Sequence, residues 1–413
     1  MTRSIRLAVC LAALLSTGGA LAQAPDAQTD EKAAETTSAP VAHVYIGSGN
    51  KILAFSAAAN GKLTPVPGSP FNYSLSLMGA NGHYLFGFEP SSVIIDSLSM
   101  AANGALRKTA TTNTEAYWPL GSDCPLTYWN GQGLRIDHSG EDLYNAAIPE
   151  DGFCYSNFQS FKINDANGKL TYLGETDKIF YGGPQLSILG NDEYAYSPNC
   201  AAAFGNSPSP SVTVFQRLSS GELVTVNAGA DIPAAPMDTS YPGGPVPGYY
   251  CPLTMATDPT NHAVMTLNAF DNVDGGDGEG DFYGPVVIAT FTADAKGNLK
   301  TTSTYKNMAV AETGGGTMRT SPSGKLLAVG GSGLEIFHFN GGSPLTKYKT
   351  LLTTDSIGQI LWDDDNHMYA LGSDTKGTGK LWVYTVTLTS VAEAPGSPYS
   401  ITNAEGMVVQ TLK

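Results

Sequence analysis

Basic residues are scarce in this chain: 22 Lys and Arg stand against 37 Asp and Glu, a formal net charge of −15. A surface of that sign repels phosphate backbones and acidic lipid headgroups, so nucleic acid is not an expected partner. Long apolar runs are missing as well. Past the first fifteen residues no segment is long and apolar enough to span a bilayer, so no membrane span is expected. No two of the five cysteines form a Cys-x-x-Cys pair, which removes the usual spacing of zinc and dithiol redox sites. Only six histidines occur. Four of them, His83, His138, His262 and His367, stand in or beside short polar turns, His43 enters a strand and His338 ends one. The sequence pattern puts none of them where a Ser-His-Asp or Cys-His nucleophile would be assembled.

What is present begins with an export leader. Arg3 and Arg6 precede an apolar run over residues 7–15, and Ala20-Leu21-Ala22 is a small-x-small cleavage site. Residues 1–22 are read as a signal peptide and the mature protein as periplasmic or secreted. Residues 23–40 are rich in Ala, Thr, Asp and Glu with no aromatic residue, the composition of a flexible linker. Residues 41–413 carry the fold.

Within that span one unit recurs: an apolar alternating strand, a short Gly turn, and a second short strand. It reads Ile52 onward with Asn60-Gly61, Val93 with Asn103-Gly104, and Phe158 with Asn167-Gly168. It returns as Val212 with Ser220-Gly221, Val287 with Lys296-Gly297, and Leu334 with Asn340-Gly341. A seventh copy starts at Leu381 and has lost its glycine turn. Each copy is preceded by a second hairpin, such as Thr317 to Val329 around Ser323-Gly324. Stacked repeats of this length imply an all-β, seven-bladed propeller with four antiparallel strands, a to d from centre to rim, in each blade. The first blade lacks its own strand a, and an apolar strand ends the chain, Gly406 to Leu412. That tail is expected to supply the inner strand of blade one and so remove a free sheet edge. Such a ring closes on itself within one chain, and a monomer is expected.

The a–b hairpin Ser321-Pro322-Ser323-Gly324-Lys325 and the c–d hairpin Asn60-Gly61-Lys62-Leu63-Thr64-Pro65 resemble those of the YVTN and lactonase-like seven-bladed propellers, the 6-phosphogluconolactonase-like fold. The resemblance covers roughly residues 41–413. It implies lactone hydrolysis by His, Arg and Glu near the channel mouth. Carried over blade by blade, the positions that match the family histidine are Gln132, Gln185, Thr254, Thr317 and Gln359, none of them histidine. Arg319 and Glu405 are the charged residues nearest to the pattern.

Long connections gather on the face of the d–a and b–c loops, here the top face, around blades three to five. Long loops on a rigid scaffold are a usual seat of function. Cys124, Cys154, Cys200 and Cys251 all fall on this face, and proximity favours the pairs Cys124–Cys154 and Cys200–Cys251. Aromatic residues in these loops, among them Tyr117, Trp118, Tyr128, Trp129, Tyr249 and Tyr250, could stack on sugars or anchor a peptide. The segment holding Asp271, Asp274, Asp277, Glu279 and Asp281, interleaved with glycines, offers hard oxygen ligands of the kind calcium takes. No cofactor is required by any of these features.

Two functions follow. One is a non-catalytic exported propeller that binds a small polar ligand, a carbohydrate or a protein through the enlarged top loops. The other is a lactonase-like hydrolase at the channel mouth, with Glu405 and Arg319 as its charged groups.

Overall fold

The computed structural model describes residues 39–89, 92–114, 126–127, 134–149, 157–177, 185–201, 209–241, 243–271 and 281–412. They form seven small antiparallel sheets, each built on a four-strand path, and no helix. The architecture is a seven-bladed β-propeller. In blade one, strands b (Ala42–Ser48), c (Lys51–Ala57) and d (Leu63–Pro65) are joined on the inside by the C-terminal strand Ala404–Thr411. The register runs from Ala42↔Thr411 to Ile46↔Met407. The tail therefore closes the ring as the repeat pattern predicted.

Local chemistry sets the turns. Most a–b turns open on a short polar residue whose side chain accepts the backbone N–H groups that follow, the exception being Leu189 in blade four. Asp137 Oδ1 accepts from Glu141 and Asp142, Asp258 Oδ1 from Thr260 and His262, and Asn81 Oδ1 from His83 and Tyr84. These side chains mimic the turn's own hydrogen bond. The c–d turns need glycine for two reasons. Gly61 holds φ +77°, and a Cβ there would meet Ala394 at 2.8 Å and the His367 ring at 3.1 Å in blade seven. The same approach recurs around the ring, with His43 against Gly104 and His262 against Gly341.

That contact explains the histidines. The sequence reading places His367 in a solvated turn, but it is fully buried where blade seven meets the glycine turn of blade one. His43 is buried likewise, whereas His83 and His138 are exposed. Blade seven has no glycine turn to present. Its c–d turn is held by Thr387 Oγ1, which accepts from the Ser390 backbone at 3.0 Å. The residue it would pack on, the first of strand b in blade six, is Leu326, which shares an apolar core with Val386 and Val391.

Cys200 lies in strand b of blade four (Tyr194–Ala201) and Cys251 in strand a of blade five (Gly248–Thr257). They form a disulfide with Cα atoms 5.1 Å apart, across a chain separation of 51 residues. Cys124 and Cys154 lie outside the described residues. Replacing Cys200 and Cys251 by Ser is expected to lower stability by about 2–4 kcal/mol, because the bridge restricts the unfolded chain. Urea midpoints of the oxidised protein and the double variant measure it; equal midpoints would show that the bridge does not stabilise.

Candidate functional site

The inner strands carry a two-residue alternation. In blade six, strand a is Thr317–Thr320: Met318 is buried between blades, while Thr317 and Arg319 face the channel. Blades four, five and seven repeat the arrangement with Gln185 and Ser187, Thr254, and Gln359 and Leu361. Blade three contributes Arg135 from a strand of only two residues, Arg135–Ile136. These side chains line a channel cavity of about 50 Å³ that is open to solvent.

Most of the polar groups on this wall are already engaged in fastening one blade to the next. The Gln185 amide oxygen accepts from Thr254 Oγ1 at 2.7 Å and from the Met255 N–H at 3.2 Å. Gln359 donates through Nε2 to the Met407 carbonyl at 2.9 Å and accepts the Met407 N–H at 2.7 Å. Ser187 Oγ donates to the Met255 carbonyl, and Trp362 Nε1 to the Arg319 carbonyl. Because backbone N–H groups can only donate, they fix which end of each glutamine is oxygen. Gln185, Thr254 and Gln359 thus act as inter-blade ties. Thr317 also lines the cavity, and Gln132 lies outside the described residues.

The two arginines differ from this pattern. Arg135 Nε donates to the Leu186 carbonyl at 3.0 Å, tying blade three to blade four, and its terminal nitrogens have no partner among the described residues. The Arg319 side chain makes no hydrogen bond to the described residues, and neither guanidinium has a carboxylate partner among them. Burial between the channel walls, with the like charge of Arg319 added, lowers the pKa of Arg135 to about 9. The walls lower that of Arg319 too. Its side chain is ringed by protein yet open to channel water, and that water keeps it solvated and cationic at neutral pH. The sequence pattern shows the hairpin from Leu134 to Tyr144 that holds Arg135, yet the residue matched to the family pattern in that blade is Gln132, so Arg135 is not among the sequence candidates. Counting back from the a–b turns does find it: Arg135 stands two residues before Asp137, as Arg319 stands two before Ser321.

Glu405 does not line this cavity. It is exposed near the start of the closing strand, where partial burial raises its pKa and the Gly49 N–H opposes the rise. Arg319 is coupled to Arg135, and the structure does not bring it together with Glu405. Of the acidic segment, Asp271 and Asp281 are described. They close its base as backbone partners, the Asp281 N–H also donating to Asp271 Oδ1 at 3.2 Å. Asp274, Asp277 and Glu279 lie outside the described residues. Among the described residues no three His, Cys, Asp or Glu side chains gather as a metal site. Tyr250 is buried in the blade-five core, and Tyr249 is half-buried against Phe270, ring centroids 5.6 Å apart. Tyr117, Trp118, Tyr128 and Trp129 lie outside the described residues.

No protein-family model and no curated protein matches the chain. Solved structures do. A proposed 6-phosphogluconolactonase of Bacteroides fragilis is 16% identical with a TM-score of 0.52, over 91% of this chain and 99% of that one. The periplasmic gluconolactonase of Pseudomonas aeruginosa is 12% identical with a TM-score of 0.53, over 89% of this chain and 98% of that one. A second proposed 6-phosphogluconolactonase, from Bacteroides uniformis, is 15% identical with a TM-score of 0.52, over 89% and 99%. At these identities the likeness is one of fold. The chain is a seven-bladed β-propeller of lactonase-like architecture.

Proposed function

We propose that this chain is an exported propeller that seats a small polar molecule in its central cavity without turning it over. The observation that carries the reading is the composition of the wall. Among the described residues the cavity has free donors on Arg135, Arg319 and Gln185, and no carboxylate, imidazole or thiol. A water molecule there would find no side chain to take its proton, which hydrolysis by general base catalysis needs. Export is supported by the leader at residues 1–22 and by the Cys200–Cys251 bridge, a bond that reducing cytosol disfavours. The second reading is lactone hydrolysis. It is favoured by the likeness of fold to the gluconolactonase of Pseudomonas aeruginosa, and would require Glu405 or another group to act from outside the described wall.

A thermal-shift screen of sugar lactones, sugar acids and polyols, with proton release followed in parallel, separates the two. The expected result is a shift without turnover that disappears in Thr317→Trp, which fills the cavity. Turnover of a lactone would establish the second reading. A shift that persists in Thr317→Trp would move the ligand to the top loops.

A further inference from the structure

We infer that the cavity is an oxyanion site in which Arg135 and Arg319 grip one phosphate-, sulfate- or carboxylate-bearing group across the channel axis. The inference rests on the channel seat proposed above and adds the chemistry of its occupant. Blades four and five separate the two arginines on one side of the ring, and blades seven, one and two on the other. The side chains therefore approach from facing walls of the same cavity. Two like charges placed there, with no carboxylate between them among the described residues, repel each other unless an anion intervenes.

The rest of the wall makes the same selection. The amide oxygen of Gln185 is taken up by Thr254 and Met255, and that of Gln359 by Met407. What Gln185 still offers the cavity is N–H alone, and Gln359 keeps one N–H beside one lone pair. Together with the terminal nitrogens of Arg135, the Arg319 guanidinium and the Thr317 hydroxyl, the free hydrogen-bonding capacity is dominated by donors. A donor-rich wall is a poor match for a neutral polyol, whose hydroxyls must also donate. It is a good match for an oxyanion, which only accepts, and guanidinium groups bind such anions in bidentate fashion. The acidic chain as a whole repels anions, so binding here would be a property of this wall alone.

The test uses the mature protein with inorganic phosphate as probe, against chloride at equal ionic strength. Succinate and a neutral sugar lactone run as separate arms. Calorimetric titration is expected to give one phosphate or succinate site, with a rise in Tm of about 2–4 °C at tenfold saturation. Arg319→Gln should weaken that binding at least tenfold while the protein stays folded, since the side chain ties no blade to another. Arg319→Lys should retain part of it. Preference for phosphate or succinate identifies the source of the anionic group. Equal, salt-like effects in wild type and Arg319→Gln would overturn the inference. Stabilisation by the neutral lactone with none by either anion would also overturn it and leave the channel seat standing. Stabilisation by no probe would remove both.

Discussion

A chain cut after Glu405 is expected to lose its cooperative unfolding transition and to behave as a collapsed, aggregation-prone species. The cut removes the inner strand of blade one, and with it the register from Ala42↔Thr411 to Gly47↔Gly406. Met407 is fully buried and Val408 nearly so, each contributing about 1.5–3 kcal/mol by burial. The truncation also strips both hydrogen bonds from Gln359 and leaves strand b of blade one as an open edge. These losses together reach the 5–15 kcal/mol that holds a domain folded. Met407→Asp tests the same joint with one residue. It buries a lone charge and is expected to destabilise by about 4 kcal/mol or more. Circular dichroism and urea titration read both. A truncated protein that melts cooperatively at the wild-type midpoint would show that the ring does not depend on its closing strand.

The second large effect is expected at Asp363. This fully buried carboxylate accepts four hydrogen bonds: from the Asp365 and His367 N–H groups at 3.0 and 2.9 Å, from His367 Nδ1 at 2.8 Å and from the Tyr369 hydroxyl at 2.8 Å. Asp363→Ala orphans all four donors in the joint between blades seven and one and is expected to cost about 3–5 kcal/mol. The joint also has a pH signature. Burial alone would lower the pKa of His367, but the hydrogen bond and charge of Asp363 outweigh it and raise the value above the ordinary 6.5. A raised folded value means that stability from this pair is complete below pH 6.5 and falls as pH rises through the folded pKa. His43 contributes in the opposite sense. Its pKa is lowered by burial, so its share of stability falls in acid. Comparing wild type with His367→Gln across pH 6–9 isolates the first slope. Parallel curves would show that His367 does not carry the proton.

Much of the ring was legible because each repeat needs the same local solution. The glycine of the c–d turn, present in six of the seven blades, and the short polar residue that opens most a–b turns are both local requirements, and both stand in the sequence. The closing strand was legible for a similar reason: an apolar strand at one end and a missing one at the other have one simple answer. The channel wall was less legible. Alternation along strand a tells which side chains face inward. It does not tell that the backbone of the next blade comes close enough to take up Gln185 and Gln359. His367 was misplaced for the same reason, since its environment belongs to a glycine turn more than three hundred residues earlier in the chain. Arg135 escaped notice because the residue matched to the family pattern in its blade is Gln132, although the hairpin that holds Arg135 stands in the sequence.

The joint in blade one also sets how the ring would respond to force. Ala42 and Thr411 face each other at one end of their antiparallel pair. Tension applied through the two chain ends therefore falls on that outermost rung, then on His43↔Gln410, and so on in sequence. A pair loaded this way unzips rung by rung instead of shearing as a unit. The feature that removes the free edge is thus also the mechanical clasp of the ring. A tether drawn taut at both ends would therefore open blade one first.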